Sequence, residues 1–263
     1  MRTNPRKYGD GPYNIAVIHG GPGAPGTVAE LAIGLSERLG KGVLEPLQTS
    51  MSIDGQISEL KRMLDRHGKR PLIMAGHSWG AWLAFLFTAR YPSYVRKLIL
   101  ISSGPFEEKY ASTVMQKRLD RMSRSEIDEY LHLSSKMSDP SVRNKNHFFT
   151  RFGKLMSSAD SFDLVPFEET HLGFHHDVNK SIWSEASYLR KSGKLLRTGY
   201  QIKCPVVAIH GCYDPHPFEG VEEPLSRVID DLRFHLLEKC GHYPWLEKHA
   251  SEEFYQLMGK ELL

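Results

Sequence analysis

Ser78 lies in Gly76-His77-Ser78-Trp79-Gly80, a G-x-S-x-G pattern. That spacing suits a serine on a sharp turn from strand to helix, which pushes its hydroxyl clear of the backbone; side chains two residues to either side would collide in so tight a turn. A serine hydroxyl becomes a useful nucleophile when a neighbouring base takes its proton and a third group holds that base in the right tautomer. Asp214, in His210-Gly-Cys-Tyr-Asp214-Pro, and His242, in Cys240-Gly-His242-Tyr-Pro, supply those residue types. The expected assignment is Ser78 as nucleophile, His242 as general base and Asp214 as the acid that orients it. The chain order Ser, Asp, His is the one used when the nucleophile sits on a strand-to-helix elbow.

Competing residues are weaker. Of 13 histidines, His235 falls inside a strand pattern and His249 inside a helix pattern. His210 directly follows strand residues and belongs to the turn that presents Asp214. Ser102, Ser103 and Gly104, after the strand pattern Lys97 to Ile101, offer no carboxylate to replace Asp214. Attack on a carbonyl also needs two preorganised N–H donors for the oxyanion. The residue after the nucleophile, Trp79, is one. His19-Gly20-Gly21-Pro22-Gly23 closes the first strand pattern, and its glycines allow close backbone approach, so Gly21 is the second. A phosphate-binding loop is poorly supported there, because neither a GK[ST] ending nor G-x-G-x-x-G is present.

The elements that must hold these groups are legible as alternating patterns. After a polar lead over residues 1–12, Asn14 to Ile18 is a short apolar, β-branched run, the mark of a buried parallel strand. Val28 to Leu39 has helical spacing, Gly42 to Leu47 reads as a strand, and Ile53 to His67 carries apolar residues at 53, 57, 60, 63 and 64, a helical period. Pro71 to Ala75 is a strand, Trp79 to Tyr91 an apolar helix closed by Pro92, and Lys97 to Ile101 another strand. Repeated βα units imply a parallel sheet with right-handed crossovers. From about Gly104 the chain turns polar and helix-like. Strands return at Pro205 to Ile209 and Leu232 to Leu237, with helices near Val221 to Ile229 and Leu246 to Met258. The fold expected is α/β, a doubly wound, mostly parallel sheet: a core of residues 1–103 and 199–263, and a helical cap inserted at 104–198.

Composition narrows the partners. The 263 residues are 40% hydrophobic and 25% charged, as in a globular chain able to bury a large core. The net charge of +3 comes from 34 basic and 31 acidic residues without a Lys/Arg block, which argues against nucleic acid. The longest apolar stretch, Ala81 to Thr88, is far short of the roughly 20 residues of a membrane-spanning helix, and the opening residues lack a signal-peptide apolar region. A cytoplasmic protein is expected. Cys204, Cys212 and Cys240 form no CxxC pair, so neither a disulfide framework nor a zinc site is expected. No metal or organic cofactor is implied. His171, His175, His176 and Asp177 have a spacing that would suit a metal on a helix, but Gly173 interrupts it, and a solvated face is the expectation. Glu168, Glu169 and Glu185 are candidates to hold a cationic substrate from the cap. Trp79, Tyr213, Tyr243 and Trp245 flank the site loops and are candidates to shape an apolar pocket.

Taken together, the segments HGGPG, GHSWG, HGCYDP and CGHYPW resemble the successive motifs of the α/β-hydrolase superfamily, over residues 13–103 and 205–260. HGGPG with an elbow of the form GxSWG is similar to the prolyl aminopeptidase (proline iminopeptidase) branch, whose members remove an N-terminal proline from small peptides. That resemblance implies hydrolysis of an ester or amide bond of a small molecule through an acyl-enzyme. Carboxylesterases, carbon–carbon bond hydrolases, acyl transfer to an acceptor other than water, and a receptor that keeps the fold with little turnover remain alternatives on sequence grounds.

Overall fold

The computed structural model describes residues 4–166 and 172–262. Seven strands form one sheet in the order β1-β3-β2-β4-β5-β6-β7. They are β1 (Arg6–Tyr8), β2 (Tyr13–Ile18), β3 (Gly42–Glu45), β4 (Leu72–His77), β5 (Val95–Ile101), β6 (Val206–Gly211) and β7 (Leu232–Leu237). All neighbours pair in parallel except β1, which runs antiparallel to β3 with Arg6 opposite Glu45. The polar lead therefore contributes an edge strand. Its three residues carry no apolar pattern, and it is held by the Arg6–Glu45 ion pair at 2.7 Å and by the Tyr8 hydroxyl, which donates to Glu45 at 2.7 Å.

Because side chains alternate across a strand, the central strands feed two cores. Ala16, Ile18, Met74, Leu98, Leu100 and Ala208 face one layer with α2 (Ile53–His67) and α3 (Trp79–Arg90). Ile15, Val17, Ile73, Ala75, Ile99 and Val207 face the other, with α1 (Ala29–Leu39) and α11 (Ser251–Leu262). Helix α2 matches the expected span and starts at Ser52, whose hydroxyl accepts from the Gly55 N–H at 3.1 Å. Every residue of α3 from Trp79 to Ala89 is buried, as an all-round apolar helix requires. Each large apolar side chain so buried contributes about 1.5–3 kcal/mol.

Between β5 and β6 the chain forms the helices α4 (Glu108–Ala111), α5 (Val114–Leu119), α6 (Arg124–Ser138), α7 (Asn146–Asp160), α8 (His176–Lys191) and α9 (Lys194–Arg197). The expected last helix differs. Residues 246–250 form turns, with Glu247 bridged to Leu164, and α11 begins only at Ser251, so His249 stands in a turn and not in a helix. The helix expected near Val221 to Ile229 is α10 (Glu219–Ser226). No helix among the described residues is long and apolar enough to cross a membrane.

Candidate active site

Ser78 occupies the junction of β4 and α3 with φ 55° and ψ −117°, a strained conformation for a residue bearing a side chain. Two features hold it there. Its N–H donates to the Ile101 carbonyl at 3.0 Å. A Cβ on Gly76 would overlap the Gly80 carbonyl, and one on Gly80 would overlap the Ile18 carbonyl, so the turn closes only with glycine at both places. Gly20 packs directly on the elbow: a Cβ there would lie 3.0 Å from the Ser78 Cβ and 2.8 Å from His77 Nδ1. Gly21 follows with φ +45°. The HGGPG loop is steadied by His19, whose Nε2 accepts from the Gln48 N–H at 3.2 Å, leaving Nδ1–H to donate to the Gly20 carbonyl at 2.9 Å. Burial lowers the His19 imidazole to about 4, so it stays neutral. Trp79 opens α3, where the first N–H groups have no intrahelical partner.

Asp214 and His242 stand on the loops after β6 and β7. His242 Nδ1–H donates to Asp214 Oδ2 at 2.6 Å, and both residues are buried. The sequence pattern did not single out His216. Its Nδ1–H donates to Asp214 Oδ1 at 2.7 Å, and its backbone N–H reaches the same oxygen at 2.9 Å. His210 donates from Nε2 to the His216 carbonyl at 2.9 Å and lies 3.5 Å from Asp214 Oδ2, so it supports the turn. Burial alone would raise the Asp214 carboxyl, but the imidazoles of His242, His216 and His210 and the His216 hydrogen bond outweigh it and hold it well below its usual range. Burial lowers His242, and the Asp214 charge and hydrogen bond reverse this, leaving it above its ordinary value. His216 is lowered to about 4, chiefly by burial.

The His242 ring lies between two others, with centroids 4.7 Å from His77 and 4.6 Å from His216. His77 Nε2–H donates to the His242 carbonyl at 2.9 Å, and burial keeps this imidazole far below its usual range and neutral. The inserted helices reach the same loops. The backbone N–H of His242 donates to the Asp160 carbonyl, whose carboxylate takes two hydrogen bonds from Arg118, each 2.6 Å. Arg121 donates to the Tyr213 carbonyl at 2.6 Å and its guanidinium lies over the Tyr213 ring. Buried Glu247 accepts from the N–H groups of Gly241, Phe162 and Asp163 at 2.8–2.9 Å.

A cavity of about 580 Å³ opens over the elbow, bordered by Gly21, Ser78, His242 and Trp245, and by Phe149 and Met156 of the insertion. Tyr243 also borders it, with its hydroxyl 2.8 Å from Ser157 Oγ and pushed up to about 12 by burial. Tyr213 instead packs against Phe162 and Arg121. The acidic candidates fare differently. Glu185 accepts from the Ile53 N–H at 3.0 Å, capping α2. Glu168 and Glu169 lie outside the described residues, as does His171. His176 Nδ1 is 3.1 Å from neighbouring Asp177. Among the described residues, the three-membered cluster of metal-ligating types is Asp214, His216 and His242, whose nearest nitrogens already bond the carboxylate.

The family model for the alpha/beta hydrolase fold matches residues 15–249. The chain belongs to the alpha/beta hydrolase fold family. It is a hydrolase and resembles the prolyl aminopeptidase branch: it is 23% identical to the proline iminopeptidase of Heyndrickxia coagulans over 93% of this chain and 88% of that one. It is 24% identical to the monoacylglycerol lipase ABHD6 of Homo sapiens over 75% of this chain, spanning 58% of that protein. In three dimensions the α/β-hydrolase is similar to VinJ, with a TM-score of 0.71 at 18% identity over 98% of this chain and 93% of VinJ.

Proposed function

We propose that this hydrolase cleaves an ester of a small, largely apolar molecule through an acyl-enzyme, with Ser78 as nucleophile, His242 as general base and Asp214 as its orienting acid. The reading rests on the buried 2.6 Å bond from His242 Nδ1 to Asp214, behind a cavity that Ser78 and His242 both border. With Nδ1 so committed, Nε2 is the nitrogen left to take the Ser78 proton. The Ser78 oxygen bonds to the substrate carbonyl carbon, and the carbonyl oxygen becomes an oxyanion facing the N–H groups of Gly21 and Trp79. The bond to the leaving atom then breaks as His242 returns the proton to it. Water attacks the acyl-enzyme, gives a proton to His242, and collapse releases the acid and restores the Ser78 hydroxyl. Residues 104–198 act as a cap that closes the cavity and sets substrate choice.

A second reading, removal of an N-terminal proline, is favoured by similarity to the proline iminopeptidase. It requires an acceptor for the charged imino group, and Glu185 is already engaged at α2. Initial rates with short-chain p-nitrophenyl esters and with proline p-nitroanilide, each compared with Ser78→Ala, separate the two. Ester turnover abolished by the substitution supports the first reading; cleavage of the anilide in preference to the esters supports the second.

A further inference from the structure

Ser78 borders two chambers. Besides the large one, a smaller cavity of about 260 Å³ reaches Ser78, walled by Trp79, Trp82, Ala111, Val114 and Met115. Ser78, Arg118, Trp183 and His216 border both. His242 borders the large chamber and is not among the residues of the small one. A base that hands its proton to the departing atom must lie beside that atom, so the leaving group belongs on the His242 side and the acyl group on the other.

The small chamber is built for a neutral group. Its two guanidinium groups are already paired, Arg118 with Asp160 through two bonds of 2.6 Å and Arg190 with Glu108 at 2.8 Å. None of the described residues that border it is a carboxylate, and its faces include the edge-to-face rings of Trp79, Trp82 and Trp183. Size sets the other limit, since an apolar cavity of about 150 Å³ takes a benzene ring. We propose that the acyl half of the substrate is an uncharged apolar group of about one ring plus a short linker, held between Trp82 and Met115, and that the larger chamber takes the leaving group. This rests on the acyl-enzyme reading above and names the substrate class for it.

The test uses the full chain with the acetyl, phenylacetyl and decanoyl esters of p-nitrophenol, and the phenylacetyl and proline anilides of p-nitroaniline. The expected order in kcat/KM has phenylacetyl at least tenfold above both of the others. Ala111→Phe, with Met115→Trp as an independent filling of the same chamber, should cut the phenylacetyl-to-acetyl ratio at least tenfold. Met156→Trp, in the large chamber, should leave that ratio within twofold. A ratio that follows Met156→Trp and ignores both small-chamber variants overturns the partition while the Ser78 chemistry stands. Proline p-nitroanilide turned over faster than phenylacetyl p-nitroanilide overturns the neutral acyl group. Turnover that survives Ser78→Ala overturns the parent reading instead.

Discussion

The backbone N–H of His242 donates to the carbonyl oxygen of Asp160 at 2.9 Å, so the loop carrying the proposed base is fastened to the inserted helices as well as to the sheet. The Asp160 side chain is fixed in turn by Arg118, and both groups are largely removed from water. Removing one partner of such a pair leaves an unpaired buried charge. Arg118→Ala should cost about 3–5 kcal/mol in denaturant unfolding, whereas Arg118→Met combined with Asp160→Leu should recover most of that loss.

Glu247 makes a second fastening, since its carboxylate accepts from the N–H groups of Gly241, Phe162 and Asp163 together. A stranded buried donor costs about 1–3 kcal/mol. Glu247→Leu should therefore lower the unfolding midpoint and, by loosening the turn before His242, reduce kcat more than it raises KM. Glu247→Gln keeps an acceptor for Gly241 and Phe162 and should retain most of both.

Activity should depend on pH through His242. Burial opposes its proton, the Asp214 charge and hydrogen bond favour it more strongly, and the net shift is upward from 6.5. The neutral base therefore appears only at higher pH than in free imidazole, and kcat/KM should fall on the acid side of a midpoint above 6.5. In Asp214→Asn the favourable charge is gone and burial remains, so the midpoint should move below 6.5 while kcat drops by about ten-thousandfold.

His216 shares the Asp214 carboxylate with His242 and should steady it. Hydrogen bonds to charged groups contribute about 1.5–3 kcal/mol, so His216→Ala should lower kcat by about tenfold or more and shift the acid limb of the pH profile. His216→Asn, which can still donate to Asp214, should restore much of the rate. A loss confined to thermal stability, with the pH profile unmoved, would make His216 a packing residue only.

The parallel strands and the elbow were legible because each leaves a local mark: short β-branched runs, helical spacing over residues 53–67, and glycines two positions either side of Ser78. Asp214 and His242 were legible because β6 and β7 end just before them. Strand β1 was not, since Arg6 to Tyr8 show no apolar alternation and pair at an edge through Glu45, 39 residues on. Arg118 and Asp160 are 42 residues apart, and nothing in local spacing joins them. His216 was hidden by lying on a turn, where two residues of separation carry no periodic signal. Glu185 carries no such mark either: nothing in the spacing of an acidic residue on a polar helix shows that it caps α2 at Ile53.

Ser78 as the nucleophile is tested by the intact mass of the protein after treatment with a fluorophosphonate, which phosphonylates an activated serine. One adduct is predicted, mapped by peptide mass to Ser78, absent in Ser78→Ala and strongly slowed in His242→Ala. An adduct on another residue, or labelling that persists in Ser78→Ala, would contradict Ser78 as the nucleophile.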